Sequence, residues 1–413
     1  MHRSLLLLFF LVPVAVVAAC ATDNGQGVFG DQFGPNDRVD AAMDATPVEG
    51  GQPGDDGGGP ADATPEADAA PSCTGSGTVA VLAGADASLS GAVQIDGAAW
   101  AGGAIAGGGA ASLPALVPFG AGFLGLTRGP SDVLQSVTAT TSFGMPTTVV
   151  ASGVVDSPAL AVVGTSAHGV FSGGGGGSHD FFHGVNAGSS WDSFVDPVGT
   201  PPGDPQSFGS SAASLAGAGG SLVFTQAGND NGLYVRTWNA SWSAAAGISG
   251  AGAYTAASPA IASVTGSFDV VIVFAEKTST KIEWTARSAT DATQWSNPVV
   301  TNDLAMTTQP LSLASAGASS LVVAFEGEDG KGYASTGTIS GTSITWAPAV
   351  PLVAGGVSVD SPPRVAKGVC GDDAIVAFAS AGAVKVVRLR AGAWSAPEAV
   401  TGVSGSRVAV ATK

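Results

Sequence analysis

The sequence is poor in charged residues, in cysteine and in tyrosine. Charged side chains make up 11% of its 413 residues, and it contains 3 cysteines and 3 tyrosines beside 61 glycines. Because Lys, Arg and Glu favour helices and are scarce, a helix-rich fold is excluded, and short β-strands joined by tight turns are favoured. The 15 basic and 32 acidic residues give a formal net charge of −17. This charge repels phosphates, so a nucleic acid is not expected as a partner.

The first twenty residues have the features of a secretion signal. Arg3 precedes an apolar run from Leu5 to Val17, and small residues lead to Cys20. The apolar run is too short to span a bilayer comfortably. Its end resembles the lipobox of bacterial lipoproteins, which implies that Cys20 carries acyl chains and anchors the protein to a membrane. An ordinary cleavage site with a chance cysteine is the alternative.

The same resemblance implies a location. Many lipoproteins that stay at the inner membrane have an aspartate after the lipidated cysteine, whereas this sequence has Ala21. The outer membrane of a Gram-negative bacterium is therefore expected.

Residues 21–72 are rich in Pro, Gly, Ala and Asp and contain eleven acidic residues and one basic residue. Such a segment cannot bury a core, and its charge favours an extended chain. The sequence therefore predicts three parts: a signal peptide over 1–20, a disordered acidic linker over 21–72 and a folded domain over 73–413.

An aromatic residue recurs through the folded domain every 43 to 53 residues. In the clearest copies it is followed by Ser or Ala and then by proline, as at Trp295, Trp346 and Trp394. We call these seven residues the anchors; they are Trp100, Phe143, Trp191, Trp242, Trp295, Trp346 and Trp394. A period of this length, with three or four short strands per unit, is typical of the blades of a β-propeller.

Each unit repeats the same order of signals. A proline follows the anchor after 13 to 16 residues and precedes an apolar strand, as in Ser258-Pro259. A second strand ends in phenylalanine, as in Val270–Phe274, and a turn leads to a third, alternating strand, as in Leu233–Trp238.

The two ends of the domain each contain part of a unit. The chain stops after Ser406–Ala411, where the first strand of a unit belongs, and the domain begins with Thr78–Leu82 and Ala92–Ile95, the strands that such a unit lacks. We therefore predict an all-β fold with seven blades, in which the N- and C-terminal strands share one blade. Closure of this kind leaves no open sheet edge in the ring.

Two cysteines remain besides Cys20. Cys73 lies at the start of the shared blade and Cys370 in the last complete unit. In an oxidising compartment we expect a disulfide between them across the seam of the ring. Metal binding by the two cysteines is the alternative.

The repeat around Ser258–Ala262, Val271–Phe274 and Trp295 is similar to that of sialidase-type propellers and of bacterial seven-bladed fucose-binding lectins. The Asp-box of sialidases is poorly kept, since Gly184 stands at its hydroxyl position before Trp191, and Thr290 and Ala292 replace its Asp and Gly before Trp295. The anchors are interpreted as packing between blades. Sialidase chemistry needs an arginine triad and an activated tyrosine, and nothing in the sequence points to that set.

Two turns contain the candidate binding residues. They occupy equivalent hairpins of two units and present oxygen atoms that could hold a sugar or Ca²⁺; the residues are Asn229, Asp230, Asn231, Glu328 and Asp329. Tight turns require the same residue types, which is the alternative interpretation. His179 and His183, with Asp180 between them, could likewise bind a metal ion, but no further ligand is clustered with them in the sequence, so an exposed hairpin tip is preferred. Apart from the Ca²⁺ hypothesis, no cofactor is expected.

These observations favour a non-catalytic, lipid-anchored propeller that binds a carbohydrate or a cell-envelope partner through loops on one face. A degenerate sialidase-like glycoside hydrolase and a scaffold for protein partners are the alternatives.

Overall fold

The computed structural model describes residues 76–173, 180–195, 214–228, 230–248, 254–255, 257–301, 306–369 and 371–413. The expected signal peptide and linker, Cys20, Cys73, Cys370, Asn229 and His179 lie outside them. None of the described residues forms a helix that is long and apolar enough to cross a membrane.

The described residues form 29 strands and one 3₁₀ turn. The strands of the first half are β1 (Thr78–Ala85), β2 (Ser88–Ile95), β3 (Ala101–Ile105), β4 (Ala115–Phe119), β5 (Gly122–Arg128), β6 (Leu134–Ala139), β7 (Thr147–Val150), β8 (Ala159–Val163), β9 (Ser166–Gly173), β10 (Asp180–Asn186), β11 (Ser214–Ala218), β12 (Ser221–Ala227), β13 (Leu233–Trp238) and β14 (Ala246–Gly247).

Those of the second half are β15 (Ala260–Ser263), β16 (Phe268–Ala275), β17 (Ile282–Ser288), β18 (Val299–Val300), β19 (Ser312–Gly317), β20 (Ser320–Glu326), β21 (Gly332–Ser340), β22 (Ser343–Trp346), β23 (Val350–Pro351), β24 (Arg364–Lys367), β25 (Ala374–Ser380), β26 (Ala383–Arg390), β27 (Ala393–Trp394), β28 (Glu398–Ser404) and β29 (Arg407–Thr412). The 3₁₀ turn covers Pro130–Asp132.

These strands form seven antiparallel sheets, the blades of a propeller. Blade 1 has the order β29-β1-β2-β3, and blades 2 to 7 begin with β4, β8, β11, β15, β19 and β24. The inner strands contact one another in sequence around the ring, and β29 contacts both β24 and β4. The predicted all-β, seven-bladed fold is therefore confirmed.

Blade 1 is shared by the two ends of the chain, as predicted. β29 pairs with β1 from Val79 opposite Thr412 to Gly84 opposite Arg407. Thr78 and Lys413 add two backbone hydrogen bonds of 2.8 and 2.9 Å. The outer strand β2 is longer than the sequence indicated, because Ser88–Gly91 also pair with β1 across a tight hairpin.

The core consists of one apolar cluster at each of the seven junctions between blades. The phenylalanine of the second strand is buried there in four successive blades: Phe224, Phe274, Phe325 and Phe378 are 0%, 0%, 1% and 0% exposed. Each lies in the cluster shared with the preceding blade. The repeated apolar pattern thus encodes adhesion between blades.

The anchors occupy the same junctions, and each packs on the cluster shared with the preceding blade. The structure explains why a serine follows the anchor in three of the blades. Ser243 donates its N–H to the carbonyl of Thr237 (2.8 Å), and its Oγ accepts the N–H of Thr237 (3.0 Å). Ser296 and Ser395 make the same reciprocal pair with Ala286 and Arg388. The serine therefore fixes the register at which the anchor enters its blade.

Candidate functional site

The meander of each blade divides the connections between two faces of the ring. Hairpins between second and third strands lie on one face, together with the segments that enter the inner strands. We call this the hairpin face. The anchors follow the third strands and lie on the opposite face, which we call the anchor face.

The predicted binding aspartates lie on the hairpin face, where each one closes its own turn. Asp230 accepts hydrogen bonds from the N–H of Gly232 (2.7 Å) and the hydroxyl of Tyr234 (2.9 Å). Asp329 accepts the N–H of Lys331 (3.1 Å) and the hydroxyl of Tyr333 (2.9 Å). The repetition in two blades shows why the sequence places Asp and Tyr at these spacings.

The hydrogen bonds of the second turn also shift the pKa values of Asp329 and Tyr333. Desolvation acts to raise the pKa of Asp329, but the hydrogen bonds from Tyr333 and Lys331 together outweigh it, so this pKa is lowered. The same bond to Asp329 raises the pKa of Tyr333.

The other two described candidates are also engaged. Asn231 has a left-handed backbone (φ 65°), and its carbonyl accepts the N–H of Thr255. Glu328 accepts the hydroxyl of Thr280 at 2.6 Å, from the hairpin of the adjacent blade. Because the two predicted hairpins belong to blades 4 and 6, with blade 5 between them, the structure does not bring these candidates together in one site. Their role in binding stays a prediction.

His183 faces another histidine in the interior. His168 and His183 are 1% and 7% exposed, and Nδ1 of His168 lies 3.1 Å from Nε2 of His183. Trp242 donates its indole N–H to Nδ1 of His183 (3.3 Å). Burial and the proximity of His168 lower the pKa of His183 to about 4. Among the described residues, no group of three or more His, Cys, Asp and Glu side chains is placed to hold a metal ion.

A cluster of polar and charged groups lies on the anchor face, at the junction of blades 7 and 1. Strand β26 supplies Arg388 and Arg390, which follow Val384 and Val386 at alternate positions. Since side chains two residues apart share a face, the two arginines extend the surface that the valines bury against blade 1.

Asp372 holds both guanidinium groups. Its carboxylate, 0% exposed, accepts from Nη1 of Arg388 (2.8 Å) and from Nε and Nη2 of Arg390 (2.9 and 2.7 Å). A buried carboxylate between two cations fixes their positions, and it would be costly to leave unpaired.

Blade 1 completes the cluster across the junction. Nη2 of Arg388 donates to Gln94 at 2.5 Å, and Nε lies 3.4 Å from Glu398. Glu398 also accepts the indole N–H of Trp100 at 2.5 Å and the amide of Gln94 at 3.4 Å. Arg388, Gln94, Trp100 and Glu398 therefore belong to one hydrogen-bonded network across the junction, and we call this network the junction cleft.

The junction cleft is open to solvent mainly at its acidic side. The side chain of Glu398 is 41% exposed, against 16% for Arg388. Both residues are held by partners on the protein, so their donors and acceptors are oriented before any ligand arrives. Preorganisation of this kind reduces the entropy lost on binding.

Two other anchors make a comparable bond, but to neutral groups. Trp191 donates to Ser136 (3.0 Å) and Trp242 to His183 (3.3 Å), in each case on the preceding blade. Trp346 has a buried indole N–H without a partner in the described part of the chain. At the junction of blades 7 and 1, by contrast, the anchor Trp100 donates to the carboxylate of Glu398, which also contacts the guanidinium of Arg388.

Sequence reasoning missed this cleft. The available signal was Glu398 directly after the anchor motif Trp394–Pro397, where the other copies have Val299 and Ala349. The partner Gln94 lies 294 residues from Arg388 along the chain, so the pair meets through ring closure.

No protein-family model matches the sequence, and no curated protein matches it either. Among solved structures, the chain is similar to the BP39L lectin from Burkholderia pseudomallei, with 16% identity, 78% of this chain and 95% of that chain covered, and a TM-score of 0.62. It is also similar to a triple arginine-to-alanine mutant of AofleA from Arthrobotrys oligospora, with 14% identity, 73% and 89% coverage, and a TM-score of 0.50. At these identities the likeness establishes the propeller fold.

Proposed function

We propose that this protein is a non-catalytic carbohydrate-binding propeller and that the junction cleft is its binding site. The observation that carries the proposal is the network of Arg388, Glu398, Gln94 and Trp100 on a partly exposed surface. The similarity to a structure described as a lectin supports it.

The cleft offers the groups that a sugar requires. A guanidinium donates two N–H groups in a fixed geometry, and a carboxylate accepts from neighbouring hydroxyls, so the two together suit vicinal hydroxyl groups. An indole supplies apolar surface for the C–H face of a pyranose ring. A sugar hydroxyl would compete for Glu398, which is the most exposed of the charged groups in the network.

The test is a glycan-array screen with the full chain, with and without Ca²⁺, followed by titration of the best glycan. Trp100→Ala and Glu398→Gln should each weaken binding at least tenfold. Glu328→Gln, on the opposite face, is the matched control for loss of one carboxylate and should leave affinity unchanged.

Other results would assign a different function. If Glu328→Gln or Asp230→Asn abolishes binding while the cleft variants do not, the sugar binds on the hairpin face. A blank array with folded protein would contradict carbohydrate binding and favour a scaffold for an envelope protein. Release of a sugar from an array glycan would favour the glycoside hydrolase.

We further propose that Cys20 is lipidated and holds the propeller at the outer membrane, with residues 21–72 as a spacer. The short apolar run before Cys20 and the small residues beside it support this proposal. Intact-mass measurement of the chain purified from membranes should show acyl chains on Cys20. Cys20→Ser should release the protein into the soluble fraction, and an unmodified N-terminal peptide would contradict the anchor.

A disulfide between Cys73 and Cys370 is a separate proposal. Thr412 donates its hydroxyl to the carbonyl of Lys367 (2.6 Å), and Lys413 pairs with Thr78. Residues close in sequence to each cysteine thus contact the same end of β29. Peptide mapping without reduction should recover the cross-linked pair, and free thiols at both positions would contradict it.

A further inference from the structure

The axis of the propeller contains a cavity of about 340 Å³ near the hairpin face. Its wall is formed by the starts of the inner strands, including the proline positions that the sequence repeats, and polar atoms make up most of its exposed surface; Pro114, Pro158, Leu160, Ile261 and Pro310 contribute to it. A cavity of this volume suits a small molecule.

One inner strand places a cation in this wall. Arg364 begins β24, three residues after Ser361. In the sheet register, the positions of blades 3 and 5 that correspond to Arg364 are Ala159 and Ala260, which also line the cavity. Arginine therefore stands in blade 7 where blades 3 and 5 have an aliphatic residue.

The guanidinium of Arg364 is only partly satisfied. Nη1 donates to the carbonyl of Leu311 at 3.0 Å. Nε is buried without a hydrogen-bond partner among the described residues, and no carboxylate of that part of the chain lies within 4.0 Å. Burial lowers the pKa of Arg364 to about 10, which leaves it charged at neutral pH.

A carboxylate also lines the cavity, but it has other partners. Asp156 belongs to the segment entering blade 3, three blades from Arg364 around the ring, and accepts the hydroxyl of Ser172 at 2.6 Å. It does not neutralise Arg364. A partly buried cation without a counter-ion is costly, so the cavity favours a ligand that brings a negative charge.

We infer that the axial cavity binds a small carboxylate, with Arg364 as its counter-ion. Because Nη1 is held by Leu311 and Nε is enclosed by the protein, Nη2 is the guanidinium nitrogen that remains to donate to a carboxylate oxygen. This site is distinct from the junction cleft and does not depend on sugar binding.

Calorimetric titration of the full chain with hexanoate tests the inference. We expect saturable binding of hexanoate at one site. Arg364→Gln should weaken hexanoate binding at least tenfold. Lys331→Gln, which removes one positive charge from an exposed hairpin, is the matched control and should bind as the wild type does.

The inference is overturned if hexanol binds as tightly as hexanoate, since the charge would then have no role. It is also overturned if phosphate or sulfate binds and hexanoate does not, or if Arg364→Gln leaves affinity unchanged. If Arg364→Gln does not fold, Arg364→Lys replaces it as a variant that keeps the positive charge. The comparison of hexanoate with hexanol binding to the wild type then tests whether the charge has a role.

Discussion

Nδ1 of His168 lies 3.1 Å from Nε2 of His183, and the two rings are nearly parallel, with an interplanar angle of 4°. Trp242 donates to Nδ1 of His183, so in the neutral pair the proton of His183 is on Nε2 and points at His168. A second proton on His183 would have to enter at Nδ1, against the indole N–H. Burial and this arrangement both disfavour the charged form.

The histidine pair predicts loss of stability in acid. Burial lowers the pKa of His168 and lowers that of His183 from 6.5 to about 4, so the unfolded chain binds more protons between these values. The free energy that the neutral pair contributes to folding should be fully present well above pH 6.5. It should fall as the pH drops toward 4, by about 3 kcal/mol for His183. Urea unfolding at several values between pH 7.5 and pH 4 measures how the free energy of unfolding changes with pH.

His183→Gln separates this effect from general acid sensitivity. The variant should be less stable at pH 7.5 but should lose less on acidification than the wild type. Equal slopes for the two proteins would show that the pair does not titrate as the structure implies.

Phe274→Ala tests adhesion between blades. Phe274 is 0% exposed and packs at the junction of blades 4 and 5. Removal of a buried aromatic ring leaves a cavity, so the free energy of unfolding should fall by about 3 to 5 kcal/mol. Val299→Ala, at a site that is 44% exposed, is the control and should cost less than about 0.5 kcal/mol. A small effect of Phe274→Ala would mean that the junction repacks.

Gly91→Val tests the space that an anchor needs. A Cβ at Gly91 would lie 2.3 Å from Cδ2 of Phe143 in the next blade. The variant should destabilise the protein by about 1 to 3 kcal/mol or more, since overpacking forces the ring to move. Gly103→Ala is the control, because no heavy atom lies within 4 Å of its Cβ.

A double-mutant cycle identifies the cause. Adding Phe143→Ala to Gly91→Val should recover part of the loss, as the clash disappears. Additive costs in thermal or urea unfolding would contradict the contact.

Asp372→Asn tests the support of the junction cleft. The change keeps the shape of the side chain but removes the charge that holds Arg388 and Arg390, so stability should fall by about 3 to 5 kcal/mol. The side chain of Asp86, which pairs with Arg407, is 80% exposed. Asp86→Asn should therefore lower the free energy of unfolding by at most about 1 kcal/mol. Similar values for the two variants in chemical unfolding would contradict the buried network.

The sequence alone determined the architecture of this protein. The spacing of Trp295, Trp346 and Trp394, the phenylalanine in the second strand of four successive blades and the half-units at the chain ends are local patterns. Such patterns repeat because each blade must bury two apolar faces. The repetition can be recognised in the sequence alone. Asp230 and Asp329 were visible for the same reason, as repeated turn residues, and the structure shows their carboxylates engaged in those turns.

Only the tertiary structure decided which side chains meet. Arg388 and Gln94 come together because β29 closes the ring, and Trp100 reaches Glu398 across the same junction. Arg364 enters the axial cavity because seven inner strands converge on one axis. The sequence pattern describes each blade and the face that it buries, whereas a site built between blades depends on distances fixed by the whole circle.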